Sequence, residues 1–222
     1  SDGRAELGIG AGHTPAEFEM TGRQRPDPAQ RVRELTTVAS AVRALLDGHA
    51  VESERVGALR DLRLDAPRPV QTRIPILVGG GNRALLDWAG ANADAVGLSG
   101  LGRTLPDGHM HRVRWSLAQT DAQFARVRTA AADADRPSPP QTEALVQVVR
   151  ETDDRDGVID DVAARVEAPP DDVRHAPYAL IGTIDQITDQ LHEARERWGL
   201  CRWAVRADAL DSAERILARL HR

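Results

Sequence analysis

Apolar and polar positions alternate over short segments of this chain, and longer segments of helical periodicity separate them. In the first short segment, 4–12, Ala5, Leu7, Ile9 and Ala11 share one face at a spacing of two. A spacing of two is that of a β-strand. The opposite face of this segment is mostly glycine, so the sequence predicts a strand with one almost bare face.

Short apolar runs and helical segments then follow each other along the chain. Further strands are predicted over 74–78, 95–98, 144–149 and 202–206. Helices are predicted over 30–46, 82–93, 113–132, 158–166 and 212–220, with another that opens at the capping-box sequence Thr183–Gln186. Strict alternation indicates parallel strands with right-handed crossovers. We therefore expect an α/β fold with five parallel strands.

Composition narrows the class of protein. The chain has 222 residues and a formal net charge of −5, with acidic and basic residues interspersed, which argues against a nucleic-acid or membrane binder. The single cysteine cannot form an internal disulfide, so we expect a cytoplasmic protein. All 29 basic residues are Arg, so a Schiff-base or phosphate-loop lysine is excluded for this sequence.

The exit of the first predicted strand shows the strongest chemical signal. Gly8, Gly10 and Gly12 leave a smooth face on which a flat ring could lie, and the titratable His13 follows at once, with Glu17 four residues on. Glycines on a strand also relieve crowding or form bulges. Both interpretations stay open on the residues alone.

A second signal is the glycine run Gly79, Gly80 and Gly81, which joins a predicted strand to a predicted helix. Backbone N–H groups at a helix N-terminus attract an anion. The alternative is a tight turn with Asn82 as its N-cap. The run also fits a loose dinucleotide-binding pattern, but the acidic residue that such a site needs is missing, since Asp94 precedes the next strand rather than ending it.

Two histidines, His109 and His111, stand close together in a predicted loop. No third ligand follows at a usual spacing, so we expect no metal site there.

Taken in order, these residues resemble the luciferase-like monooxygenase superfamily and, within it, the deazaflavin-dependent branch. The resemblance rests on Arg4–His13 with Glu17–Phe18, on Gly22 and Arg31–Leu35, on Pro67–Gln71 ahead of Ile74–Gly81, and on Ala93–Val96 and Leu180–Thr183. It covers essentially the whole chain.

The resemblance implies a (β/α)₈ TIM barrel that binds coenzyme F-420, or alternatively FMN, at the C-terminal ends of its strands. Segment 4–12 would then be barrel strand four, and the single domain 1–222 would comprise strands four to eight. Strands one to three, which supply part of the cofactor face in the family, would be missing. The start at Ser1, a few residues before a core strand, leads to the same expectation.

The resemblance also implies roles for individual residues. His13 would transfer a proton or orient the substrate, and Glu17 would either assist it or hold the loop. The cofactor would contact the backbone of Gly10, Ala11 and Gly12 with its ring system and Gly79, Gly80, Gly81 and Asn82 with its phosphate end. Arg83 is the nearest cation to that end.

The function expected from the resemblance is hydride transfer between coenzyme F-420 and a small organic substrate. The alternatives are an FMN-dependent monooxygenase of the same fold and a truncated, non-catalytic chain or fragment, whose sheet would have two unpaired edges. Substrate contacts are expected from the loops 49–66 and 100–112. The expected partners are a small-molecule substrate and, as an option, a second copy in a homodimer, with no nucleic acid and no membrane.

Overall fold

The computed structural model describes residues 1–54, 57–66, 68–105 and 111–221. The strands are β1 (Leu7–Gly10), β2 (Val51–Ser53), β3 (Leu59–Leu62), β4 (Ile76–Gly79), β5 (Ala95–Leu98), β6 (Leu101–Thr104), β7 (His111–Val113), β8 (Gln141–Leu145), β9 (Val148–Glu151), β10 (Ala179–Gly182) and β11 (Leu200–Ala204). The helices are α1 (Pro15–Met20), α2 (Pro28–Leu46), α3 (Arg83–Asn92), α4 (Leu117–Asp133), α5 (Arg155–Val166), α6 (Pro170–His175), α7 (Ile184–Trp198) and α8 (Leu210–Leu220).

The main sheet has five strands in the order β1-β4-β5-β8-β11, and every neighbouring pair in it is parallel. Each strand overlaps one of the five that the alternation predicts, so the parallel α/β fold is confirmed. Two-stranded sheets accompany it: the antiparallel pairs β2–β3 and β6–β7 and the parallel pair β9–β10.

The prediction of one strand over 144–149 is wrong. The chain forms two strands there, because Val146 donates its N–H to Ala204 of the main sheet while Gln147 donates its N–H to Tyr178. From that point the chain pairs with β10 instead of β11. The strand β10, whose four residues are all buried, has no counterpart among the predicted strands.

Shorter elements replace segments that the sequence predicts as loops. The hairpin β2–β3 lies within 49–66, the strands β6 and β7 lie in 100–112 and reach one residue beyond it, to Val113, and α1 lies in the polar segment after His13. The helix α4 begins later than predicted because β7 occupies 111–113 and the Ser116 side chain caps the helix by accepting the N–H of Gln119. Part of the predicted loops, namely 55–56 and 106–110 with His109, falls outside the described residues, as does Pro67 of the resemblance.

The capping box that opens α7 is confirmed. The Thr183 hydroxyl accepts the N–H of Gln186 at 3.3 Å, and the Gln186 side chain accepts the N–H of Thr183 at 2.9 Å. The helix ends at Gly199, whose φ of 73° lies in the left-handed region that suits a C-terminal glycine.

Strand alternation gives the main sheet two different faces. Ile76, Val78 and Val96 point to the helices and are buried in the core with Leu86 and Phe124. The residues between them point to the other, concave face, which therefore stays free for a site. None of the described helices is long and apolar enough to cross a membrane.

Asp94, just before β5, connects neighbouring elements at the N-terminal end of the sheet strands. Its carboxylate accepts the N–H of Ile76 at 2.8 Å and the Nε–H of Arg73 at 2.9 Å, and it also pairs with Arg43 of α2. This acidic residue holds β4 and α2 together, which is a structural role and not that of a ribose ligand.

Candidate functional site

Three glycines lie side by side on the concave face of the sheet. Gly10 of β1 is in register with Gly79 of β4, which is in register with Gly97 of β5. A Cβ built on Gly10 or Gly79 would meet no atom within 4 Å, and one built on Gly97 would meet Leu77 and Glu143 only at ordinary contact distances of 3.5 and 3.7 Å. We call these three residues the glycine floor, a flat area of backbone with open space above it.

The glycine floor ends at charged residues on the other two strands. Glu143 of β8 is in register with Gly97, and Arg202 of β11 with Glu143. Arg202 donates two hydrogen bonds, of 2.7 and 2.8 Å, to Glu6 just before β1, and lies 3.3 Å from Glu143. The hydrogen bonds to Glu6 raise the pKa of Arg202. Because β1 and β11 are the two edges of the sheet, this contact shows that the sheet is strongly curved.

A cavity of about 1460 Å³ lies over the glycine floor, at the C-terminal ends of the strands. Its lining includes all of the predicted cofactor contacts, Gly10, Ala11, Gly12, Gly79, Gly80, Gly81 and Asn82, together with His13. Glu17 is not part of the lining and lies exposed on α1. The structure thus brings together both sequence signals, one from each of two neighbouring strands.

The turn after β4 has a packing reason for its glycines. A Cβ on Gly80 would come within 2.8 Å of Leu85, and one on Gly81 within 2.7 Å of the Gln123 side chain. The Asn82 carboxamide oxygen accepts the N–H groups of Ala84 and Leu85 at 2.9 and 3.3 Å, so Asn82 caps α3. An anion at this turn would therefore rely on the remaining backbone N–H groups and on arginine side chains.

His13 stands beside a second histidine from a distant part of the chain. The ring centroids of His13 and His111 are 4.3 Å apart, with the planes tilted by 49°. Partial burial lowers the pKa of His13; the positive charges of His111, Arg25 and Arg31 add to this effect, and Glu17 opposes it. The neutral imidazole is therefore favoured near neutral pH, which suits a proton acceptor.

The cavity lining is rich in cations that the sequence patterns did not connect. Arg25, Arg31, Arg83, Arg114 and Arg126 all line it, and of these only Arg83 was expected near a cofactor. The acidic lining residues are Glu19 and Glu143, the second of which lies beside Arg202. Arg126 is paired with Asp87, to which it donates a hydrogen bond at 2.6 Å. The other four arginines still outnumber the acidic lining residues, and this excess of positive charge favours an anionic ligand.

His111 is the main residue of the cavity lining that no sequence pattern indicates. It was assigned to a loop as half of a histidine pair, and its partner in that pair, His109, lies outside the described residues. The pairing of His111 with His13 depends on the hairpin β6–β7, which no sequence pattern predicted. Among the described residues, no group of three or more His, Cys, Asp or Glu side chains could hold a metal ion.

Comparison with known proteins identifies a family. The family model of luciferase-like monooxygenases matches residues 1–211 of the chain. A comparison with curated proteins gave no match.

Three solved structures illustrate the similarity in fold. An F420-dependent secondary alcohol dehydrogenase in complex with an F420-acetone adduct has a TM-score of 0.65 at 13% identity, over 91% of this chain and 64% of that one. The monooxygenase RslO1 from Streptomyces bottropensis has a TM-score of 0.64 at 21% identity, over 93% and 62%. The coenzyme F420 dependent tetrahydromethanopterin reductase from Methanopyrus kandleri has a TM-score of 0.60 at 17% identity, over 91% and 68%. This chain therefore spans less than two thirds of the length of the first two structures.

Proposed function

The chain belongs to the luciferase-like monooxygenase family, and on this premise we propose that it is an oxidoreductase that transfers a hydride between coenzyme F-420 and a small organic substrate. The observation that supports this most directly is the glycine floor beneath the cavity. A planar ring system needs a surface without side chains, and Gly10, Gly79 and Gly97 provide one across three adjacent strands.

The described residues fit a deazaflavin in shape and in charge. The ring would lie on the glycine floor, against the backbone from Gly10 to Gly12. The phosphate end would lie at the turn 79–82, with the side chains of Arg83 and Arg126 close by. When bound, the deazaflavin supplies a group that donates or accepts a hydride.

His13 would accept or donate the proton that accompanies hydride transfer. When a substrate carbon gives up a hydride, a hydroxyl or amino group on that carbon must lose a proton. The lowered pKa of His13 keeps its imidazole neutral, so that an unprotonated ring nitrogen can accept this proton. In the reverse direction, the protonated ring returns it.

An FMN-dependent monooxygenase is the second candidate. The observation that favours it is the similarity in fold to the monooxygenase from Streptomyces bottropensis, at 21% identity. The glycine floor would accept the ring of FMN as well as that of a deazaflavin, so cofactor binding must discriminate between the two candidates.

Fluorescence titration of the 222-residue chain with coenzyme F-420 tests the proposal. We expect binding at tens of micromolar or below. The variant Gly10→Ala adds a methyl group to the glycine floor and should weaken coenzyme binding by at least about tenfold, which is about 1.4 kcal/mol. The thermal stability of the variant should not fall, since the new Cβ meets no atom within 4 Å.

Gly8→Ala is the matched control. Gly8 lies on the same strand face two residues earlier, its Cβ would also meet no atom within 4 Å, and it does not line the cavity. Its coenzyme affinity should equal that of the unchanged chain. If the chain binds FMN more tightly than coenzyme F-420, the assignment changes to the monooxygenase. If a cooperatively melting chain binds neither cofactor, the non-catalytic alternative is favoured.

A further inference from the structure

Two histidine rings from distant parts of the chain are in contact within the cavity. His13 follows β1 and His111 begins β7, and both residues line the space over the glycine floor. The ring centroids are 4.3 Å apart, and the ring planes are tilted by 49°. We call these two residues the histidine pair.

The hairpin β6–β7 places the His111 ring in this contact. The two strands are antiparallel, with His111 opposite Thr104, and Arg114 just after β7 donates its N–H to the Gly100 oxygen at 2.7 Å. The Nε2 atom of His111 is closed off from solvent and has no hydrogen-bond partner among the described residues. Buried polar atoms in native proteins normally have partners, and a role in catalysis is one reason for an exception. The ring is therefore a candidate for a role in the reaction.

The other charged groups that face His13 come from α1, from α2 and from the segment between these helices. Glu17 of α1 is exposed and acts on the ring through its charge without an ion pair. Arg25 donates to the backbone oxygen of His13 at 3.0 Å, and Arg31 of α2 donates to the backbone oxygen of Pro26 at 2.7 Å. One carboxylate therefore stands against two guanidinium groups and the His111 ring.

Of the charges around His13, that of the His111 ring has the largest effect. Burial lowers the pKa of His13 most, and the positive charge of His111 is the next largest cause. Among the smaller causes, Glu17 raises this pKa, whereas Arg25 and Arg31 lower it. Two rings in contact are both charged only against strong repulsion, so the protonation of one ring depends on that of the other.

We propose that His111 is a positioning residue for proton transfer: a proton on the His111 ring disfavours a second proton on His13, so that His13 enters the reaction as a base. This role rests on the proposed function. A substrate carbon that bears a hydroxyl group and gives its hydride to the oxidised coenzyme passes the hydroxyl proton to His13, and a carbonyl product remains. The histidine pair therefore favours substrate oxidation, which needs His13 in its unprotonated form.

NMR titration of the histidine rings in the full chain without coenzyme tests the coupling. His111→Phe keeps an aromatic ring beside His13 and removes its charge, so we expect the pKa of His13 to rise. His111→Gln should raise it as well, and the difference from the unchanged chain should shrink as salt screens the charge. An unchanged pKa in the Phe variant, or a difference in the Gln variant that salt does not reduce, would show that burial alone acts on His13 and overturn the proposal.

His192→Phe is the matched control. His192 lies on α7, is exposed and does not line the cavity. The pKa of His13 in this variant should equal that in the unchanged chain. An equal rise in the His111 and His192 variants would show an effect of net charge rather than of the ring contact, and would overturn the proposal.

Carbethoxylation of His13 by diethylpyrocarbonate gives a readout that a merely structural role of His111 would not move. The reagent reacts with the unprotonated imidazole, and the modified peptide is counted by mass spectrometry across a range of pH. In His111→Phe the acidic limb of the reaction rate should move to higher pH, while the rate at high pH stays the same. A loss of rate at every pH without a shift of the limb would show a structural role.

A titration with coenzyme F-420 separates this proposal from the proposed function. With the coenzyme bound, the pKa of His13 should stay below its ordinary value in the unchanged chain and should rise in His111→Phe. A His13 ring that is protonated near neutral pH in the coenzyme complex would overturn its role as a base. If the coenzyme does not bind while His111→Phe still raises the pKa of His13, the proposed function fails and the coupling of the histidine pair stands.

Discussion

At the scale of single residues, the loop after β1 depends on a backbone conformation that only glycine adopts without strain. Gly12 has a φ of 66°, and a Cβ at this position would lie 3.3 Å from the Phe18 ring of α1. The left-handed conformation costs other residues about 1–2 kcal/mol. We expect Gly12→Ala to lower the free energy of unfolding by about that amount, as measured by urea denaturation.

Gly8→Ala again serves as the control, since Gly8 does not have a positive φ and an added Cβ there meets open space. Its free energy of unfolding should stay within about 0.5 kcal/mol of that of the unchanged chain. Equal stability of the Gly12 and Gly8 variants would show that the loop after β1 rearranges without strain.

Sequence patterns indicated the residues of the cavity that stand in glycine-rich segments of the chain. They did not indicate the residues whose position in the cavity depends on strand pairing. Gly10 and Gly79 end short strands and stand in visible glycine runs, so both were found. Gly97 is a lone glycine inside a strand, and its place in the glycine floor follows only from the pairing of β5 with β4. His111 is the first residue of β7, and the pairing of β7 with β6 accompanies the contact between its ring and that of His13. Relations of this kind join distant parts of the chain and leave no local signal.

At the scale of elements, α4 and α7 are joined by one carboxylate. Asp121 of α4 accepts hydrogen bonds from Arg197 at 2.9 and 2.7 Å and from the Trp198 indole at 2.7 Å. The hydrogen bonds from Arg197 lower the pKa of Asp121, the Trp198 bond adds to them, and partial burial opposes them. The junction is therefore strongest while Asp121 is ionised.

This junction predicts a pH dependence of stability. The unfolded chain holds a proton on Asp121 more tightly than the folded chain, so the contribution of Asp121 is complete above its ordinary pKa of 3.8 and is lost as the pH falls below it. Asp121→Asn should lower the free energy of unfolding at pH 6 by about 1 kcal/mol. Because the variant has no carboxyl group at this position, the difference between the two chains should shrink in acid.

Asp133→Asn, an isosteric change on the same helix, is the control for this series of unfolding curves. Asp133 is exposed and makes no ion pair with the described residues. At pH 6 the free energy of unfolding of this variant should stay within about 0.5 kcal/mol of that of the unchanged chain. A constant deficit of the Asp121 variant from pH 6 into acid would contradict the assigned role of ionisation.

Periodicity predicted the long elements because each has one buried side. The helix α7 shows this clearly, with its capping box, its apolar stripe and its terminal Gly199 all readable from the sequence. The strands of the hairpins β2–β3 and β6–β7 have the sequences VES, LRDL, LGRT and HRV, which contain no apolar run and no sustained alternation. The break between β8 and β9 was equally hidden, because the apolar run continues through the point where the chain changes partner.

At the scale of the whole molecule, the curvature of the sheet brings its two edges together. Glu6 and Arg202 are 196 positions apart in the chain and stand at opposite edges of the five-stranded sheet, yet they form a two-pronged ion pair. The alternation of strands and helices predicted the parallel sheet, but it does not predict which side chains from distant strands contact each other. The pair is about one-third exposed, so its contribution is only partly screened by solvent.

A double-mutant cycle measures this contact. We expect Glu6→Gln and Arg202→Gln each to destabilise the chain, with a coupling of about 1 kcal/mol between them in urea denaturation. The exposed pair of Asp61 in β3 and Arg63 just after it is the control and should show a coupling of less than about 0.5 kcal/mol. Equal coupling in both pairs would mean that the edges are held by other contacts.

The same variants test whether curvature shapes the cofactor site. Arg202 also lies beside Glu143, which borders the glycine floor, so the ion pair fixes how β1 and β11 are oriented around the cavity. Loss of the pair should let the edges separate and flatten the floor, although no floor residue is changed. We therefore expect Glu6→Gln to weaken coenzyme F-420 binding by a few-fold at a temperature where the variant is fully folded, corresponding to about 1 kcal/mol. Unchanged affinity in a destabilised Glu6 variant would show that the floor keeps its shape without the closing contact.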